Sequence, residues 1–248
     1  MYGIVNKYSA KLHKNQKVFK SFAKSYFCGM IHVKKFTFNP FAENTYVLYN
    51  DSKECIIVDP GCSNAYEQEQ LVNYIEKSGL TPIRLINSHC HIDHVLGNDF
   101  VKEKYNLPLE AHRNEIPVLA GVHDYAAMFG VQIEEQKPID KFLEHNDVSN
   151  FGDSYFRVLH APGHSPGSIC FYFEMEQIII CGDVLFKGSV GRYDLPGASG
   201  EDLYRSVTEV LMALPDEVVV YSGHGPETTI GDERRTNPFL KRNFFFGV

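Results

Sequence analysis

The sequence predicts an α/β fold of four layers, two β-sheets packed face to face with helices on both outer faces. Three observations carry that expectation. Strand-like runs followed by helix-like runs occur twice along the chain, and no Pro/Gly-rich linker separates the two halves. A length of 248 residues with 44% hydrophobic content also suffices for one sizeable core.

In chain order, IHVKKFTF, NTYVLYN and CIIVDPG alternate or are β-branched and break at Asn, Asp, Ser or Pro, so each reads as a strand. Leu71, Tyr74 and Ile75 recur at helical spacing and predict a helix over 65–78. IRLINS reads as a short buried strand ending at Ser88, followed by a helix over 98–105 and a strand in LPLEAH. Residues 113–150 are the least regular part. They suggest two helical pieces and then a polar stretch, an insertion or lid near a site. The second half resumes with strands in YFRVLHAP, SICFYFE and QIIICGD. It ends with an amphipathic helix in GEDLYRSVTEVLMAL, a strand in VVVYSGHG and a closing helix over 232–243.

The formal charge of −7 argues against a nucleic-acid backbone as partner, which demands clustered Lys and Arg. No run of about 18 apolar residues is present, so no membrane span is expected. Six scattered cysteines without a C-x-x-C pair read as free or buried thiols, and the expected location is cytoplasmic. Residues 1–29 hold six Lys and no acidic residue; all 31 acidic residues lie beyond them, the first being Glu43. This segment lacks the apolar stretch of a secretory signal. It reads as a basic, non-essential extension ahead of a folded unit spanning 30–248.

The chemistry concentrates in His89-Cys90-His91-Ile92-Asp93-His94. Residues i and i+2 of an extended segment project to one side, so His89 and His91 can hold one cation. Asp93 and His94, beyond a turn, reach a second point. Cys90 faces the opposite side and is expected to be packed. Histidine with aspartate suits zinc or iron better than calcium or magnesium. Further ligand candidates stand where apolar strands stop at tight turns: His164 in HAPGHSPGS, Asp183 in IICGDVLF and His224 in YSGHGPE. Gly182 beside Asp183 suggests close backbone approach to a metal.

The set HCHIDH, PGHSPGS, GD and GHGP resembles the metallo-β-lactamase superfamily, and more closely its glyoxalase II-like branch. The resemblance implies a four-layer αββα sandwich with two mixed sheets and a site at one edge. It implies His89, His91 and His164 on one metal, Asp93, His94 and His224 on a second, and Asp183 between them. Two zinc ions per chain are the expected cofactor, with iron or manganese as the other candidates. Asp59, in VDPG, matches a further motif and is expected to orient the ligand loop. Water on zinc ionises near pKa 7 instead of 15.7, about 12 kcal/mol of help toward hydroxide at neutral pH. Hydroxide so formed attacks a carbonyl carbon, with Asp93 and Asp183 as the catalytic carboxylates. In the matching loop, GSVGRYD, the branch places a basic residue near an anionic, glutathione-type group, which implies substrate contacts from Arg192 and Tyr193. His123 with Tyr125, Met128 and Phe129 forms a second candidate pocket lining.

These readings converge on a small-molecule thioester as substrate, with hydroxyacyl thioesters such as S-lactoylglutathione as examples. The additional C-terminal helical domain of glyoxalase II proper is not expected here, because ERRTNPF resembles the closing helix of shorter, single-domain members. The rival enzyme is a mononuclear-iron persulfide dioxygenase using His89, His164 and Asp183, whose G-R-x-D turn is shared at Arg192 to Asp194. β-Lactam hydrolysis and a non-catalytic metal-binding module rank below both.

Overall fold

Side-chain alternation in the first strands decides the layering. Cys55 and Ile57 face one side of their strand while Ile56 and Val58 face the other, and all four are buried. A strand buried on both faces belongs to a central layer covered twice. The computed structural model describes residues 30–128, 130, 133 and 135–240; the basic segment 1–29 and residues 241–248 lie outside the described residues.

The first sheet contains β1 (His32–Phe38), β2 (Glu43–Tyr49), β3 (Glu54–Val58), β4 (Thr81–Ile86), β5 (Leu109–Ala111) and β6 (Lys141–Phe142), in that order. It is antiparallel through β3 and parallel from β3 to β6. The second sheet gathers β7 (Val148–Phe151), β8 (Ser154–His160), β9 (Ile169–Phe173) and β10 (Ile178–Gly182). The chain then forms a small ribbon, β11 (Leu185–Phe186) and β12 (Ser189–Val190), before returning as β13 (Val219–Ser222) and β14 (Thr228–Thr229). The spatial order is β14-β13-β10-β9-β8-β7, with only β10 and β13 parallel.

Three apolar layers result. Tyr46, Leu48, Ile56 and Val58 meet Phe156, Phe171, Phe173 and Ile180 between the sheets. Val47, Ile57 and Leu85 pack outward against α1 (Ala65–Lys77), α2 (Ile92–Val95), α3 (Asn98–Tyr105) and α4 (Ile116–Met128). Ile179, Cys170 and Tyr172 pack outward against α5 (Gly200–Arg205) and α6 (Ile230–Thr236). Each fully buried Leu, Ile or Phe is worth roughly 1.5–3 kcal/mol, and a one-residue register slip would send whole sets to the wrong layer. Capping fixes α1: Asn64 accepts from the Glu67 N–H at 3.1 Å while Glu67 accepts from the Ser63 N–H at 2.7 Å. The result is the four-layer αββα sandwich of two mixed sheets that the sequence led us to expect.

Three local expectations change. Residues 113–150, expected as an insertion or lid, supply β6 and part of β7, the outer edge of both sheets. The helix over 200–214 is α-helical only to Arg205. It continues as a π turn over Ser206–Val210, where Ser206 donates to the Pro162 carbonyl at 2.7 Å, and a 3-10 turn over Leu211–Ala213. The closing helix starts earlier, capped by Thr229, and stops at Thr236 because Pro238 holds Asn237 in an extended conformation. Among the described residues no helix is long and apolar enough to cross a membrane. Cys55, Cys62, Cys90, Cys170 and Cys181 are free and buried.

Candidate metal centre

Each ligand candidate leaves a strand at one rim of the sandwich. His89 follows β4, His164 lies between β8 and β9, Asp183 follows β10 and His224 follows β13, while Asp93 and His94 lie in α2. The crevice beyond the carboxyl ends of parallel strands is where α/β sheets leave room for a ligand. The two sheets are joined there. Asn44 donates its N–H to the Gly223 carbonyl at 2.7 Å, Tyr46 its hydroxyl to the Ser222 carbonyl at 2.6 Å, and Ile169 its N–H to the Ser88 carbonyl at 2.9 Å.

The seven predicted side chains come together. Potential ligand atoms of His89, His91 and His164 lie within 4.8 Å of one another, and so do those of Asp93, His94 and His224. Asp183 stands between the groups: its Oδ2 is 3.5 Å from His164 Nε2 and 3.5 Å from His224 Nε2, and its Oδ1 is 3.4 Å from His94 Nε2.

Outer partners assign the imidazole tautomers. His164 Nδ1 donates to the Arg192 carbonyl at 2.8 Å, His224 Nδ1 to the Ala42 carbonyl at 3.2 Å and His94 Nδ1 to Asp59 Oδ2 at 3.2 Å. Ser88 Oγ gives its hydrogen to Asp59 Oδ2 at 2.5 Å and so accepts from His89 Nδ1 at 3.1 Å. His89 and His164 are left with Nε2 turned inward as a lone pair, and His94 and His224 also turn Nε2 inward, toward Asp93 and Asp183. His91 presents Nδ1, which lies 2.8 Å from His164 Nε2.

The donor set fits a metal. His89 Nε2, His94 Nε2 and Asp183 Oδ1 are buried without a hydrogen-bond partner. Each such atom costs about 1–3 kcal/mol unless something else satisfies it. Electrostatics agrees. Burial and the neighbouring histidines push His89 well below the usual histidine value and His91 to about 3, so both are neutral lone-pair donors. Burial pulls His94 and His224 down as well, but Asp93 and Asp183 outweigh it and carry both above the usual value. Burial would raise Asp183, yet His94, His164 and His224 hold it well below the usual carboxylate range. The positive charge these carboxylates draw onto two rings as protons is charge a cation would supply.

Two glycines make the approach feasible. A Cβ at Gly223 would lie 2.1 Å from Asp183 Oδ1 and 2.7 Å from His94 Cε1. Gly182 has φ +49°, and a Cβ there would lie 2.2 Å from Ser88 Oγ. It makes room for Ser88 beside the His89 ring.

Asp59 orients, as expected. It accepts from the Ser88 N–H at 2.6 Å, the Ser88 hydroxyl and His94, with its own backbone at φ 50°. Its atoms also fall within 4.8 Å of His89 and His94, but hydrogen bonds already occupy both oxygens. Sequence reasoning overlooked Glu43, Glu115 and Asn39. Glu43 is fully buried with Oε1 3.9 Å from His94 Nδ1, and burial pushes its carboxyl well up. Asn39 donates to the Asp93 carbonyl at 2.9 Å. None of the three belongs to a spaced motif, and their sequence neighbours, Asn44 and Thr45 after Glu43 and Arg113 and Asn114 before Glu115, give no local signal. The Arg192 side chain is 65% exposed and paired with Asp194 through two contacts of 3.0 and 3.1 Å. Tyr193 is partly exposed beside Gly200. His123 bonds the Ile133 carbonyl at 3.0 Å, while the side chains of residues 128 and 129 lie outside the described residues.

A family model for the metallo-beta-lactamase superfamily matches residues 38–224. The chain belongs to that superfamily. Superfamily relatives include a probable metallo-hydrolase of Bacillus subtilis, YqgX, 39% identical over 81% of this chain and 93% of its own length. The hydroxyacylglutathione hydrolase GloC of Haemophilus influenzae is 33% identical over 81% and 93%. Among solved structures, the BLEG-1 B3 metallo-beta-lactamase superposes with a TM-score of 0.78 at 37% identity, over 85% of this chain and 100% of that one. TTHA1623 in a di-iron-bound form superposes with a TM-score of 0.75 at 39% identity, over 84% and 100%. The His/Asp clusters here are of the two-metal type found in this superfamily.

Proposed function

We propose that this chain is a metal-dependent hydrolase that cleaves a small thioester, using two metal ions at the rim. The observation that carries the reading is the convergence of seven side chains from both sheets, with three buried ligand atoms left unpaired. His89, His91 and His164 would hold one ion, Asp93, His94 and His224 the other, and Asp183 both. Bound there, the ions supply a nucleophile ionised at neutral pH and a Lewis acid for a carbonyl oxygen. Zinc is the expected pair on donor chemistry, although the di-iron form of TTHA1623 supports iron as well.

The residues supply orientation. Asp93 Oδ2 accepts from His224 Nε2 at 3.0 Å and faces the open side, where both are more exposed than His89 or His94. It is placed to hold a proton or orient a reacting water between the groups. Exclusion of water from the inner wall by buried His89, His94 and Asp183 strengthens every charge interaction there. The loop of Arg192 and Tyr193 is anchored to the centre through the His164 bond, while its guanidinium reaches solvent. That placement supports a contact to an anionic thiol carrier, with Asp194 holding the fork until substrate arrives.

The thioester reading draws on the glyoxalase II-like motifs and on the likeness to GloC. The complete Asp93, His94 and His224 set favours it over the one-iron dioxygenase. Metal analysis of protein purified without added metal, combined with assays on S-lactoylglutathione, other acyl thioesters, a persulfide and a β-lactam, tests it. Two metals per chain with thioester cleavage is the expected result. One iron per chain with oxygen uptake on the persulfide, or turnover of the β-lactam alone, overturns it.

A further inference from the structure

The carboxylate of Glu115 is fully buried, belongs to neither ligand cluster, and is not used by the chemistry above. It sits at the end of a 3-10 turn over Arg113–Glu115, directly before α4, with its own N–H on the His112 carbonyl at 2.9 Å. Its oxygens reach two different loops. Oε2 accepts from the backbone N–H of Cys90 at 2.7 Å, the residue between His89 and His91. Oε1 accepts from the Ser165 hydroxyl at 2.5 Å and the Gly167 N–H at 2.7 Å, on the loop that carries His164.

We propose that Glu115 is a positioning residue that clamps the 89–91 and 164–167 loops together, and so sets the three-histidine half of the centre. The inference rests on the proposed metal pair. All three partners are donors, so the site calls for an acceptor-only group with lone pairs pointing two ways, which an ionised carboxylate provides. Position 167 is shaped for it. A Cβ at Gly167 would lie 2.7 Å from Glu115 Oε1 and 2.9 Å from its N, so only glycine admits the contact. The neighbouring turn adds to the grip, because Asn114 donates to the Pro166 carbonyl at 3.3 Å. No hydrogen bond of the Glu115 side chain reaches Asp93, His94 or His224. A selective effect on one half follows.

Competition titration of metal-stripped protein with Zn²⁺ against a chromophoric chelator reads the two binding steps separately. Single-ligand variants His91→Ala and His224→Ala assign each step to its half. In Glu115→Ala the step assigned to the three histidines weakens about 10- to 100-fold, the usual cost of losing an outer partner, while the other step holds. Glu115→Gln retains an acceptor for Ser165 and Gly167 but turns an amide N–H₂ toward Cys90, and so falls between. Ser165→Ala, which removes one donor and leaves the carboxylate its Cys90 and Gly167 partners, weakens the same step by a smaller factor and guards against simple misfolding. Unchanged binding in all three variants, or equal weakening of both steps, overturns the clamp. Failure of the unmodified protein to bind two ions would instead defeat the metal-pair reading itself.

Discussion

Around His89, His91 and His164 three rings meet whose pKa values lie below the usual histidine value, whereas Asp93 joins two rings, His94 and His224, raised above it. The first half collects neutral donors, and its loops share the Glu115 carboxylate. The second collects charge, with Asp59 and Glu43 behind His94. Two cation sites a few ångströms apart can therefore differ in how they trade protons for metal. The difference teaches that symmetry of ligand number does not imply symmetry of affinity.

The largest expected effect comes from removing what the halves share. Asp183→Ala should weaken both binding steps and lower kcat/KM by at least about 10³-fold, or about 4 kcal/mol of transition-state stabilisation. Loss of only one metal with most activity retained would show that Asp183 belongs to one half alone. Proton release sharpens the contrast next. His94 and His224 carry raised pKa values, so an ion entering that half expels protons, and its affinity falls as pH drops through those values. Burial holds His89, His91 and His164 below the usual histidine value, so affinity in their half should depend less on pH near neutrality than affinity in the other. Calorimetry in two buffers of different ionisation enthalpy counts those protons, and the opposite ranking would break the comparison.

Much of this contrast could be read in the sequence. HCHIDH, HSPG, GD and GHG each place a ligand type where an apolar strand gives way to a turn, and alternation alone separates the buried faces of β2 and β3. What escaped had no period or spacing to betray it. Strands of two residues such as β6, β11, β12 and β14 are too short for alternation to register. The π turn at Ser206–Val210 keeps its apolar residues on one side, so amphipathicity could not reveal the break. Glu115 and Glu43 matter because of what folds against them, which no local window contains. The smallest expected effect concerns the basic segment 1–29: its deletion should leave thermal midpoint and turnover within about twofold or a few degrees. A large loss in either measurement would contradict the reading of that segment as non-essential.

Ligands drawn from both sheets make the bound cation a rivet through the sandwich. The contacts from Asn44 and Tyr46 to Gly223 and Ser222 close the same seam by hydrogen bonds alone. An ion that grips only the finished rim adds RT ln(1 + [L]/Kd) to the stability of the whole chain. With the proposed ions in place, metal supply would govern how firmly the two layers stay shut, and a chelator would act on the entire body of the protein through one edge.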